Sequence, residues 1–120
     1  MSSPRFGRVV RATIPDSRGL AHEYHPAVII TPGDRIVAGG KFWVVGISTK
    51  SHLAAEDVRT AMQYGPQCRT GLTRKCWAFS DWLVELEVGD IHEYAGMAAP
   101  LTMAEIVSKI PLHLATAAGL

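Results

Sequence analysis

Three short stretches of the chain hold side chains able to do chemistry. The first is His22-Glu23-Tyr24-His25-Pro26. Two imidazoles beside a carboxylate invite a metal reading, but metal motifs built on a helix need a helix, and Pro26 disfavours one before it. Zinc takes roughly three or four protein ligands, and the remaining donors, His52, Cys68 and Cys76, are scattered. No metal site is assigned. The choice left is between surface loop histidines and a role in proton exchange or phosphate contact, suited to a group titrating at about pH 6.5. The second stretch is Gly46-Ile47-Ser48-Thr49-Lys50-Ser51-His52, at a strand end. Its hydroxyls, ammonium and imidazole could hold a phosphate, or form an ordinary polar loop. The third, Arg69-Thr70-Gly71-Leu72-Thr73-Arg74-Lys75-Cys76-Trp77, is a basic run leading into aromatics. Such a run suits a single-stranded nucleic acid, through backbone charge and base stacking. The alternative is that Trp77, Phe79 and Trp82 are core. Strand alternation puts Trp77 and Phe79 on one face, and that pair is expected to be largely buried.

The elements that must position these groups are mostly strands. Gly7 to Ile14 is rich in Val and Ile and is stopped by Pro15-Asp16-Ser17-Arg18-Gly19. Ala27 to Thr31 follows Pro26 and is apolar throughout Ala27 to Ile30, as expected of a strand covered on both faces. Lys41 to Ser48 is a third strand, whose Gly46 suggests a bulge or a close approach. Cys76 to Leu83 is a fourth, with turns marked by Gly89-Asp90 and Gly96. Ser51 to Tyr64 reads either as a helix capped by Ser51 or as a long loop with a short strand. Near the C-terminus, Thr102 and Glu105 have capping-box spacing, with Leu101 and Ile106 placed as a staple. Met103, Ile106, Val107 and Ile110 then form a helical stripe that Pro111 ends, and the tail from Ala115 is expected to fray. The fold class is mainly β with one good helix: a small barrel or curled sheet closed by that helix, in a single domain over 1–120.

Composition limits the function classes. At 48% hydrophobic and 19% charged residues the chain is not disordered. A net charge of +1 leaves any nucleic-acid contact to a local basic patch. Met1 to Arg8 has no signal-like apolar segment, and the run Ala27 to Ile30 is too short to span a bilayer. A cytoplasmic location and free thiols are the expectation.

The order of these stretches resembles the MazF/PemK family, SH3-like barrels that act as endoribonuclease toxins. Gly7-Arg8-Val9-Val10 stands where the family has its glycine-led first strand. His25-Pro26-Ala27-Val28-Ile29-Ile30 stands where it has an Arg-Pro dipeptide opening an apolar strand. Val44-Val45-Gly46-Ile47-Ser48-Thr49 matches its isoleucine followed by Thr or Ser. Gly71-Leu72, Cys76 and Asp81 fit the downstream pattern, and Leu101 to Ile110 the closing helix, so the similarity spans Gly7 to Leu112.

The resemblance implies metal-independent, cofactor-free cleavage of single-stranded RNA by the ribose 2′-hydroxyl, leaving a cyclic phosphate and a free 5′-hydroxyl. Carried over by position, the catalytic residues are His25, Ser48, Thr49 and Asp81. His22, Lys50, Arg69, Arg74 and Lys75 are the expected RNA-binding residues. The implied partners are a cognate antitoxin with a disordered tail and a second copy of the chain, for which Trp43, Trp82 and Met97 are interface candidates. Two departures stand out: His25 replaces the family arginine, and Phe79 stands near where some members carry another. Histidine exchanges protons but lacks the guanidinium fork. The alternative function is therefore a non-catalytic module on the same barrel, binding nucleic acid or an antitoxin peptide.

Overall fold

The computed structural model describes residues 3–120. Six strands carry the fold: β1 (Arg8–Pro15), β2 (His22–Ile29), β3 (Lys41–Ser48), β4 (Arg59–Ala61), β5 (Trp77–Glu87) and β6 (Ile91–Met97). Two helices follow, α1 (Pro100–Ser108) and α2 (Leu112–Ala117). The strands form one antiparallel sheet in the order β4-β5-β3-β2-β1-β6. Its ends, β4 and β6, are not joined by a ladder among the described residues, so the expected barrel is an unclosed sheet. No helix among these residues is long and apolar enough to cross a membrane.

The apolar run of β2 is covered on both faces, as its composition requires. Val28 and Ile30 pack into one core with Ile47, Met103 and Ile106 beneath α1. Ala27 and Ile29 pack into the other, with Phe42, Phe79 and Trp82. Phe79 is fully buried and Trp77 half-buried on that same side. Ser80 ties the layers together by donating its hydroxyl to the carbonyl of Ile106 at 2.8 Å.

β3 and β5 lose register at Gly46. Val45 faces Leu83 while Ile47 faces Ala78, so β5 bulges outward between those two pairs. The indole of Trp82 fills the space: a Cβ at position 46 would lie 2.2 Å from its ring. Glycine is required there by close approach. Trp82 is 5% exposed, which removes it from any interface; Trp43 and Met97 are half-buried.

Residues 51–64 follow the second of their two readings, a loop with a short strand: two 3-10 turns (Ser51–Leu53 and Glu56–Val58) and then β4, whose pairing with β5 wins over helical propensity. Other local expectations change. The Thr102–Glu105 capping box does not form. The helix starts earlier, on Pro100, a residue suited to the first helical position, and the Glu105 carboxylate accepts from Lys109 Nζ at 2.9 Å. Leu101 is exposed and no staple partner for buried Ile106. β6, which the turn signals concealed, is an edge strand against β1, and the tail beyond Pro111 is helical through Ala117.

Candidate functional site

A cleft opens where β2 and β3 part. Their ladder runs only over Ala27↔Gly46, Val28↔Val45 and Ile29↔Val44. Beyond it, His22 to Pro26 pair with β1 alone, and the end of β3 pairs with β5. Pro26, with no N–H to give, suits a strand that has lost one neighbour. The resulting cavity measures about 410 Å³, within the range of small-ligand sites.

β2 contributes Glu23 and His25, two residues apart and hence on one side of the strand. Their Nε2–Oε2 distance is 3.0 Å. In the tautomer with the proton on Nε2, His25 donates to Glu23 and keeps Nδ1 as a free acceptor. The imidazole also stands edge-on to Trp82, with ring centroids 5.1 Å apart. A carboxylate and an indole therefore fix its orientation.

The end of β3 contributes Ser48, Thr49 and Lys50. Ser48 is buried, and its Oγ accepts the Lys50 backbone N–H at 3.0 Å. With that lone pair used, its hydroxyl hydrogen is available to a ligand oxygen. The loop before β5 brings Leu72, Arg74 and Cys76 to the same cavity.

The β1–β2 turn adds Asp16 and Arg18. Asp16 is a loop clasp: its carboxylate accepts the backbone N–H groups of Leu20 (2.9 Å) and Arg18 (3.1 Å). Chiefly the Leu20 bond holds its pKa below the ordinary value. The cavity walls thus carry Arg11, Arg18, Lys50 and Arg74 against Asp16 and Glu23. Positive charge is concentrated here in a chain whose net charge is only +1.

Of the sequence candidates, His25, Ser48, Thr49, Lys50 and Arg74 meet in the cavity. Asp81 is exposed on the β5 bulge and does not line it. His22 is exposed at the start of β2, and Lys75 lies over the Trp77 ring at 5.6 Å. Arg69 is exposed, its carbonyl accepting the Met97 N–H at 2.8 Å. Sequence reasoning missed Arg11, Arg18 and the roles of Glu23 and Trp82. For Arg11 a signal existed, an arginine inside the apolar run VVRATI.

Among the described residues, no three His, Cys, Asp or Glu side chains cluster as a metal-binding set. The two cysteines differ. Burial pushes the Cys76 thiol up from 9.0 to about 11, whereas a hydrogen bond with the Thr70 hydroxyl at 3.2 Å lowers that of Cys68. Because the unfolded thiol ionises first, the stability linked to Cys76 is intact below pH 9 and is lost as pH rises through about 11. Urea midpoints should therefore fall across that interval in the parent chain and fall less in Cys76→Ala. At neutral pH iodoacetamide should label Cys68 well before Cys76.

A small, mainly β chain with a cationic cleft at parted strands has the MazF-like fold, and solved structures bear this out. An endoribonuclease from a Mycobacterial species is 25% identical, with a TM-score of 0.67 over 100% of this chain and 95% of its own. An endoribonuclease in complex with its cognate antitoxin, from a Mycobacterial species, is 24% identical (TM-score 0.64; 100% and 97% covered). MazF from Deinococcus radiodurans shares 15% identity with a TM-score of 0.73 and full coverage of both chains. No protein-family profile and no curated protein matches the sequence.

Proposed function

We propose that this chain is the endoribonuclease toxin of a toxin–antitoxin pair and cuts single-stranded RNA in the β2–β3 cleft without a metal ion. The observation that carries this reading is the meeting of His25, held by Glu23 and Trp82, with buried Ser48 and a cationic wall. It sits in a fold shared, over the whole chain, with an endoribonuclease from a Mycobacterial species.

In the proposed reaction the ribose 2′-oxygen attacks the adjacent phosphorus, the bond from phosphorus to O5′ breaks, and a 2′,3′-cyclic phosphate forms. The 2′-oxygen loses one proton and O5′ gains one, so an imidazole that takes the first and supplies the second balances the step. His25 is the imidazole on the cavity wall. Ser48 donates its hydroxyl to a phosphoryl oxygen, Thr49 offers a second hydroxyl, and Lys50 and Arg74 offset the charge that builds there. Arg69, Lys75 and His22, outside the cavity, meet phosphates further along the strand; no step runs through Asp81.

The same cationic cleft suits the acidic tail of an antitoxin, which would block it. Homodimerisation and a cytoplasmic location belong to the same reading. Expressing the chain alone in a bacterium tests it. Growth should stop as full-length mRNA disappears, and His25→Ala should relieve both. Unimpaired growth at high levels of folded protein would count against a toxin. Tight RNA or antitoxin binding without turnover would instead favour the non-catalytic module.

A further inference from the structure

Attack on a phosphodiester places extra negative charge on oxygens that need a fixed cation, and His25 is already committed to the proton. Four cationic side chains line the cleft. Arg18, Lys50 and Arg74 are exposed and stand outside the regular strands. Arg11 is different. It lies within β1, its Cα paired with that of Pro26 while Ala12 pairs with His25, so Arg11 and His25 leave the sheet on opposite faces and reach the shared cleft from its two sides. Its side chain is 24% exposed and held from two directions. Nη2 donates to the Gly71 carbonyl at 3.3 Å, and Nε faces Glu93 Oε2 at 3.6 Å.

The Gly71 carbonyl is a firm support, because the loop there abuts β6. Gly71 has φ +74°, and a Cβ on it would come within 2.1 Å of the Ala95 carbonyl oxygen. A guanidinium has about five N–H donors, so among the described residues these two contacts leave Nη1 to meet an anion. Glu93 is 58% exposed, too open to neutralise the charge and placed to orient it.

Given the nuclease reading above, we propose that Arg11 is the fixed guanidinium of this cleft, binding the scissile phosphate of single-stranded RNA from the side opposite His25. Glu93 is its positioning residue.

The test uses the full chain carrying Arg11→Ala, Arg11→Lys or Glu93→Gln, each checked for folding by circular dichroism. One readout is the single-turnover rate at saturating RNA. The other is binding of the same RNA blocked by 2′-O-methylation at the cut, across a salt series. Arg11→Ala should slow cleavage by about 10²–10³-fold. It should also flatten the slope of log affinity against log salt by about 0.7, one phosphate contact on a single strand. Arg11→Lys should restore the slope but not the full rate, since an ammonium lacks the fork. Glu93→Gln should cost rate while leaving the slope unchanged.

Parent-like rate and slope in folded Arg11→Ala would overturn the assignment. Should that variant not fold, a parent-like rate in Arg11→Lys would overturn the guanidinium role. If the parent chain cuts RNA while Arg11 proves indifferent, only Arg11 is removed from the site. A parent chain that neither binds nor cuts RNA removes the nuclease reading, and this assignment with it.

Discussion

His25→Ala is expected to slow RNA cleavage by about 10²–10⁴-fold, the usual span for losing a general acid–base. The melting temperature should move little. His25 is only half-buried, and its hydrogen bond to Glu23 lies at the exposed mouth of the cleft. The loss should therefore fall on the rate at saturating RNA, while affinity, set by the cationic wall, holds. Glu23→Gln separates chemistry from orientation. An amide can still accept from Nε2 but cannot stabilise an imidazolium, so an intermediate loss is expected. Quenched-flow cleavage of a defined RNA measures both variants. An unchanged rate in folded His25→Ala would remove the imidazole from the mechanism.

Trp82→Ala is expected to cost about 3–5 kcal/mol of stability, the range for truncating a buried aromatic. The indole is packed against Phe79, with centroids 6.0 Å apart, and lies over Gly46. Its Nε1–H donates to the Pro15 carbonyl at 2.9 Å, joining β5 to the end of β1. Trp82→Ala also removes the ring that His25 stands against, so folded protein at low temperature should cleave more slowly than its stability loss explains. Trp82→Phe keeps a ring there but orphans the Pro15 carbonyl, and should cost about 1–3 kcal/mol. Urea unfolding with a common m-value gives these differences. Equal stability of Trp82→Ala and the parent would show that the ring carries no packing.

Local composition made much of this fold legible. The run Ala27 to Ile30 announced a strand with core on both faces, and Gly46 announced a bulge or close approach; it is both. What was left open or missed was settled by contacts distant in sequence. Ser51 to Val58 does start helical turns, yet the backbone of Arg59 to Ala61 is taken by β5. Arg59 Nη1 then closes the loop onto the carbonyls of Ser51 (3.1 Å) and Ala54 (3.3 Å). β6 pairs on one side only and need not alternate cleanly, so its turn residues dominated the reading.

The site divides in the same way. His25, Ser48, Thr49, Lys50 and Arg74 stood out because their residue types cluster in short motifs that also match a family pattern. Asp81 entered by pattern alone, and the β5 bulge carries it outside the cavity. Arg11 and Trp82 carry no motif. They reach the cleft because β1 lies beside β2 and because β5 bulges at Gly46, facts of strand pairing. Glu23 was visible as a carboxylate near two imidazoles, but only the strand geometry chose His25 over His22 as its partner.

The most direct test of the central claim is to incubate the purified chain with a long single-stranded RNA in excess EDTA and map the new ends, with His25→Ala alongside. Cuts at defined sites, bearing 2′,3′-cyclic phosphate and 5′-hydroxyl ends and lost in the variant, are the expected result. Intact RNA at high concentrations of well-folded protein, or cutting that His25→Ala leaves unchanged, would contradict it.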